Sequence, residues 1–175
     1  MQGKTVVITG ATSGIGEVAA IRLSEKGARI VAVARDKARA DATLKKLKGS
    51  GHTVHIADLS RLSEMKRVAG EIAAAEPQID VLMNNAGALF NSRQVTEDGL
   101  EKTFAMNHMA YFVVTNLLLG NLKPGARIVS TASDAHKGAK LNFDDLQSSK
   151  SYSGFAVYGK SKLANILFNR ELARR

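Results

Sequence analysis

The chain has no cysteine and no tryptophan, only two prolines, and aromatic residues at 5% of its 175 positions. Without cysteine there can be no disulfide, thiolate zinc site, iron–sulfur cluster or cysteine nucleophile. That absence suits a reducing compartment, and the cytoplasm is the expected location. The few aromatics are not interleaved with a basic run. Nucleic-acid binding is therefore not expected, although the formal net charge is +9. The basic residues are spread along the chain, with a mild concentration at Arg170, Arg174 and Arg175. An anionic small molecule accounts for part of this charge more simply than a polymer does. No apolar run is long enough to span a membrane, since the richest, around Phe112 to Leu119, is broken by Thr115 and Asn116. Met1 leads almost at once into a strand-like run, so no signal or transit peptide is expected. His52, His55, His108 and His136 show no metal-ligand spacing, and no metal is expected.

The residues that are present alternate between two patterns. Lys4 to Thr9 is a β-branched apolar run ending in Gly10-Ala11-Thr12-Ser13-Gly14-Ile15-Gly16. A helical repeat follows, with Ile15, Ala19 and Leu23 on one face, and stops near Gly27. Ala28 to Ala34 reads as a second strand, and Asp36 caps a helix running to about Leu47. Thr53 to Ala57 is a third strand, Arg61 to Ala75 a third helix and Ile79 to Met83 a fourth strand, leading into Asn84-Asn85-Ala86-Gly87. Leu100 to Leu119 reads as one long helix, Pro124-Gly125 as a turn and Ala126 to Thr131 as a fifth strand. After an irregular stretch, a last helix runs from about Tyr152 to the C-terminus. With no internal repeat and no linker, the expectation is one domain over residues 1–175. The alternation implies right-handed βαβ crossovers and a parallel sheet covered on both faces. Ligands in such sheets bind at the carboxyl ends of the strands, at the switch point.

Four sequence features fall at that edge. The spacing Gly10-x3-Gly14-x-Gly16 follows the first strand and opens a helix. Glycines there let the backbone approach a pyrophosphate whose charge rests on the helix N-terminus. A tight turn without a ligand is the bland alternative. The second strand ends in Ala34-Arg35-Asp36. An arginine at this place suits the 2′-phosphate of NADP, whereas an acidic residue suits the 2′-hydroxyl of NAD. Arg35 therefore favours NADP, while Asp36, needed as a helix cap, leaves NAD open.

The remaining features are Asn85 to Gly87 after the fourth strand and Tyr158-x3-Lys162 on the last helix. Positions i and i+4 share a helix face, so the phenol and the ammonium are neighbours. A tyrosine ordinarily titrates near ~10, and an adjacent cation favours the phenolate. Alone, the pair is equally an amphipathic helix with a lysine lying beside a core tyrosine. Tyr152 has no lysine four residues on and is set aside.

Taken together, Thr9-Gly10-x3-Gly14-Ile15-Gly16, Asn84-Asn85-Ala86-Gly87, Asn107, Ser133 and Tyr158-x3-Lys162 resemble the short-chain dehydrogenase/reductase family. Asp144-Asp145-Leu146-Gln147 and Ser161-Lys162-Leu163-Ala164-Asn165 resemble its retinol dehydrogenase-like and WW-domain oxidoreductase-like branch. The resemblance implies a Rossmann-type, doubly wound α/β fold and hydride exchange between NADP(H) and a hydrophobic alcohol or carbonyl compound. It implies that Tyr158 is the general acid/base and that Lys162 assists it and contacts the nicotinamide ribose. Ser133 would donate to the substrate oxygen, with Ser130 and Thr131 as register alternatives, and Asn107 would hold a water linked to Lys162. Gly10, Thr12, Ser13, Gly14, Ile15, Gly16, Arg35, Asp58, Leu59, Asn85, Ala86 and Gly87 would line the cofactor cleft, Asp58 touching the adenine amino group. Helices 100–119 and 152–173 would form a homo-oligomer contact. Family members usually continue for two more strands and a substrate loop, so the chain reads as truncated after the Tyr-x3-Lys helix. A catalytically silent dinucleotide binder and an interaction protein are the competing readings.

Overall fold

A computed structural model describes residues 1–175. Five strands form one parallel sheet in the order β3-β2-β1-β4-β5. They are β1 (Thr5–Thr9), β2 (Arg29–Ala34), β3 (Thr53–Ile56), β4 (Ile79–Asn84) and β5 (Leu122–Ser130). The crossovers are α1 (Gly14–Glu25), α2 (Lys37–Leu44) and α3 (Leu62–Ala75). Between β4 and β5 the chain runs through α4 (Lys102–Phe104), a π-helical stretch (Ala105–Met109) and α5 (Ala110–Leu118). The helix α6 (Gly154–Arg174) is the last element.

The central strands β2, β1 and β4 are buried on both faces because they are apolar at most positions, whereas the edge strands β3 and β5 hold no buried residue. Period-two alternation sorts those side chains. Val7, Val31, Val33 and Leu82 pack with Val68 and Ile72 of α3 and Val114 and Leu118 of α5. Val6, Ile8, Ile30 and Ala32 face the other way, with Ala20 of α1 and Leu47. Each fully buried Val, Leu or Ile contributes roughly 1.5–3 kcal/mol to this two-sided core. Asp36 caps α2 as the sequence predicts, its carboxylate accepting from the Arg39 N–H at 2.8 Å.

Three expectations need correction. Pro124 and Gly125 do not end an element, because both lie within β5, which begins at Leu122. Pairing moves from Ile79–Leu122 to Val81–Arg127, so a wide bulge on β5 absorbs the excess chain. Proline is tolerated there because β5 is an edge strand. The helix expected from Leu100 to Leu119 is not uniform, since its second turn is π-helical around Asn107. Finally, α2 stops at Leu44 rather than Leu47, and α6 starts at Gly154 rather than Tyr152. Tyr152 instead donates to the Phe90 carbonyl at 2.9 Å and approaches Glu101, anchoring the loop before α6.

Strand order reverses between β1 and β4, so the ends of these two strands open into a crevice. The glycine turn, Asn85 to Gly87 and the start of α6 all meet at this place.

Candidate active site

The crevice is a cleft of about 760 Å³, within the range of small-molecule sites. Its floor is the turn after β1. Gly10 has φ +70° and Gly14 φ +53°, conformations that glycine adopts without strain. A Cβ on Gly10 would meet Ala86 Cα at 2.8 Å, and one on Gly16 would run into the Gly10 carbonyl and the Asn85 amide. Ser13 stands at the N-cap of α1 but makes no side-chain cap bond. The first N–H groups of that helix thus face the cleft without a capping oxygen, an arrangement suited to an anion. Thr12, Ser13, Gly14 and Ile15 all line the cleft, and Ile15 is 67% exposed there.

Asn85 binds three strand ends together. Its amide nitrogen donates to the Thr9 and Gly10 carbonyls, and its amide oxygen accepts from Thr131 Oγ1 at 3.0 Å. Thr9 Oγ1 accepts from the Asn85 and Ala86 N–H groups. The walls from Asn85 to Ala88 are therefore held by hydrogen bonds made before any ligand arrives.

At one end of the cleft stand Arg35 and Arg39, both exposed and neither engaged by a carboxylate. Asp36 is occupied by its helix cap. Leu59 lines the cleft, but Asp58 does not, because its carboxylate accepts from the Ser60 N–H and hydroxyl at 3.0 and 2.8 Å. Arg39 was not singled out from the sequence. It lies in the first turn of α2, whereas Arg35 precedes the helix cap, so helical spacing does not pair the two.

At the other end, α6 brings Tyr158 and Lys162 to the cleft side by side. The Lys162 ammonium lies 5.5 Å from the Tyr158 ring centre and donates to the Thr131 carbonyl at 2.8 Å. Lys162 is only 2% exposed and has no carboxylate partner. Burial pushes its pKa below the usual lysine value. A Cβ on Gly87 would crowd Asn107 Oδ1 at 3.2 Å and would lie in ordinary contact with Lys162 Nζ at 3.8 Å.

Asn107 is fully buried in the π-helical turn. Its amide oxygen accepts from the Ala88 N–H at 2.8 Å, and its amide nitrogen donates to the Ala88 carbonyl and to Ser161 Oγ. Its own carbonyl accepts from Asn165 at 2.7 Å. The residue thus clamps the loop after β4 to α6. Ser133 caps a short turn, its hydroxyl oxygen accepting from the Ala135 N–H at 3.2 Å. Thr131, not Ser133, forms part of the cleft wall, and the Ser133 hydroxyl keeps its hydrogen free to donate.

A sequence model described as short chain dehydrogenase matches residues 4–175. The chain belongs to the short-chain dehydrogenase/reductase family. Within it, the chain falls in the retinol dehydrogenase-like branch and is 44% identical to retinol dehydrogenase 14 of Mus musculus, with all of this chain aligned to 57% of that protein. It therefore spans a little over half the length of such relatives. Among solved structures, an uncharacterised protein from Mycobacterium paratuberculosis superposes with a TM-score of 0.91 at 39% identity, over 99% of this chain and 63% of that one. A Pseudomonas aeruginosa RhlG/NADP active-site complex superposes with a TM-score of 0.79 at 28% identity, over 99% of this chain and 67% of that one.

The family's dinucleotide cofactor suits the residues that line this cleft. The glycine turn leaves space that a Cβ would fill, the helix N-terminus lacks a cap, and two guanidinium groups lack acidic partners. Two of the four histidines link separate elements: His52 accepts from the Ile30 N–H, and His108 meets Asn165 Oδ1 at 2.9 Å. Besides Arg39, the cleft wall includes Leu89, Phe90 and Met106, none of which carries a local sequence signal.

Proposed function

We propose that the chain exchanges a hydride between NADP(H) and an alcohol or carbonyl group on a hydrophobic substrate, with Tyr158 as general acid/base. The observation that carries this reading is the buried Lys162 ammonium beside the Tyr158 ring, opening on the same cleft as the glycine turn. A bound nicotinamide supplies or accepts the hydride. The chain's own residues do the remainder. The uncapped N-terminus of α1 holds the pyrophosphate. Arg35 and Arg39 suit the 2′-phosphate of NADP, and Asp36 gives one carboxylate oxygen to its helix cap, which supports NADP over NAD. Tyr158 moves a proton to or from the substrate oxygen, and Ser133 donates a hydrogen bond to that oxygen. Lys162 supplies positive charge beside the phenol and would contact the ribose of a bound nicotinamide. Ile15, Leu89, Phe90 and Met106 give the cleft an apolar side, which supports a hydrophobic substrate. The name of the 44% identical relative points to an alcohol of that kind.

A second reading is a silent dinucleotide binder, since the glycine turn, the uncapped helix N-terminus and the two arginines can hold a dinucleotide without any turnover. NADPH titration by fluorescence, followed by turnover with a panel of hydrophobic aldehydes, separates the two. Saturable binding with turnover that collapses by at least ~100-fold in Tyr158→Phe supports catalysis. Equal rates in both proteins would remove the acid/base assignment, and binding without turnover would leave the silent binder. We also propose self-association through α5 and α6, where Phe112, Leu117 and Leu167 are exposed and the Phe112 and Phe168 rings lie 5.4 Å apart. Sedimentation showing only monomer at tens of micromolar would refute that contact.

A further inference from the structure

Lys162 is held between two tyrosines. Its ammonium lies 5.5 Å from the Tyr158 ring centre and 5.7 Å from that of Tyr111. Tyr111 sits in the first turn of α5, one turn after Asn107, and is 1% exposed. It faces the lysine from the core side, away from the cleft. Burial and the neighbouring Tyr158 charge push its own pKa up, so it stays a neutral phenol.

Tyr111 carries a second oddity. Only two buried side-chain polar atoms lack a hydrogen-bond partner, and the Tyr111 hydroxyl is one of them. The other is Asn84 Oδ1, whose amide nitrogen donates to Thr115 on the same face of α5. Both unmet polar atoms therefore lie along one buried face of α5. The hydroxyl thus makes no hydrogen bond that stabilises the fold, and what the residue offers the lysine is its ring.

We propose that Tyr111 is a positioning residue for Lys162, its ring holding the ammonium charged and in place next to Tyr158. The proposal rests on the cofactor reading above. Lys162 has three donors and one oxygen acceptor, the Thr131 carbonyl. The groups that face it are Tyr158 on its own helix, Tyr111 on α5, Gly87 after β4 and Thr131 after β5. No carboxylate or second cation is among them. The Thr131 carbonyl and the electron-rich faces of the two rings are then what favour the ammonium over the neutral amine, against the burial that opposes it. Removing one ring tips that balance towards the neutral form.

The test is NADPH affinity as a function of pH, read by fluorescence, in the full chain and in Tyr111→Phe, Tyr111→Leu and Lys162→Met. Affinity falls at alkaline pH as the ammonium is lost, and Lys162→Met removes that fall. In Tyr111→Leu the midpoint moves to lower pH by about half a unit or more. Tyr111→Phe keeps the ring, stays within a few tenths of a unit of wild type, and melts at an equal or higher temperature. Midpoints that coincide in wild type and Tyr111→Leu would overturn the proposal. So would a Tyr111→Phe midpoint displaced as far as that of Tyr111→Leu, since the hydroxyl rather than the ring would then act. Wild-type protein that shows no saturable NADPH binding would overturn the cofactor reading itself, and this inference with it. A Tyr158→Phe protein that turns over normally would overturn the acid/base assignment alone.

Discussion

The backbone at Gly10 passes so close to Ala86 that a Cβ on Gly10 would lie 2.8 Å from Ala86 Cα. The contact joins the end of β1 to the loop after β4 at the point where strand order reverses. Gly10→Ala meets two penalties, a positive φ and an overpacked contact with backbone that cannot rotate away. Together they cost about 1–3 kcal/mol. The expected result is a melting temperature lower by several degrees and at least tenfold weaker NADPH binding, read by calorimetry and fluorescence titration. A variant with unchanged melting and binding would show that the two loops separate freely.

Arg35 and Arg39 test cofactor choice. Neither has an acidic partner, so their removal leaves no carboxylate unpaired. The double variant Arg35→Ala/Arg39→Ala should bind NADPH about 10- to 100-fold more weakly, the worth of one or two charge-assisted hydrogen bonds. NADH affinity should stay within about twofold. Equal losses for both nucleotides would mean that the two arginines do not read the 2′-phosphate.

Lys162→Met should raise stability. The buried ammonium has one oxygen acceptor and no counter-charge, so the folded state holds this proton less tightly than the unfolded state does. Between the lowered folded value and the ordinary lysine value, the unfolded chain carries more protons, and wild-type stability rises with pH. The penalty is full below that window and is gone above it. Urea unfolding should therefore show the variant ahead by of order 1 kcal/mol at neutral pH. The lead should shrink as pH climbs towards the unperturbed lysine range. A lead that is independent of pH would point to packing rather than charge.

Asp80 governs the acid limit at the opposite end of the sheet. Burial by itself would raise this carboxyl, but hydrogen bonds from Lys4, the Thr5 N–H and Lys123 outweigh it and hold the pKa at about 2. The folded value lies below the unfolded one, so the stability it contributes is present above about pH 4. It is lost as pH falls through the folded value. Lys4 is half exposed, which reduces the contribution by solvent screening to roughly 1 kcal/mol. Asp80→Asn should cost that amount at pH 7, with the difference vanishing near pH 2 in a denaturation series.

The βα alternation was legible in the sequence because β-branched runs such as Thr5 to Thr9 and Arg29 to Ala34 are punctuated by glycine turns. The glycine spacing, Asn85 and the Tyr158–Lys162 pair could be placed at one sheet edge for the same reason. What escaped depends on partners distant in sequence. Pro124-Gly125 looks like a turn locally and becomes a bulge only through pairing with β4. The π-helical turn exists where Asn107 meets Ala88, Ser161 and Asn165, contacts that helical periodicity does not encode. The Asp58 carboxylate turned to Ser60, two residues on, a local hydrogen bond that competes with any ligand.

The π-helical turn at Ala105–Met109 also sets a phase. It accommodates one residue more than an α-helical turn of the same height, so α4 and α5 are rotated against each other by about one residue's worth of helix, roughly 100°. Asn107 looks towards Ala88 and α6, while Tyr111 and Thr115 look inward to Lys162 and Asn84, because of that offset. Deleting a single residue between Ala105 and Met109 would give a more regular helix and a worse protein: every side chain on one side of the cut would turn to the wrong neighbour. This segment should therefore tolerate substitution far better than a change in length.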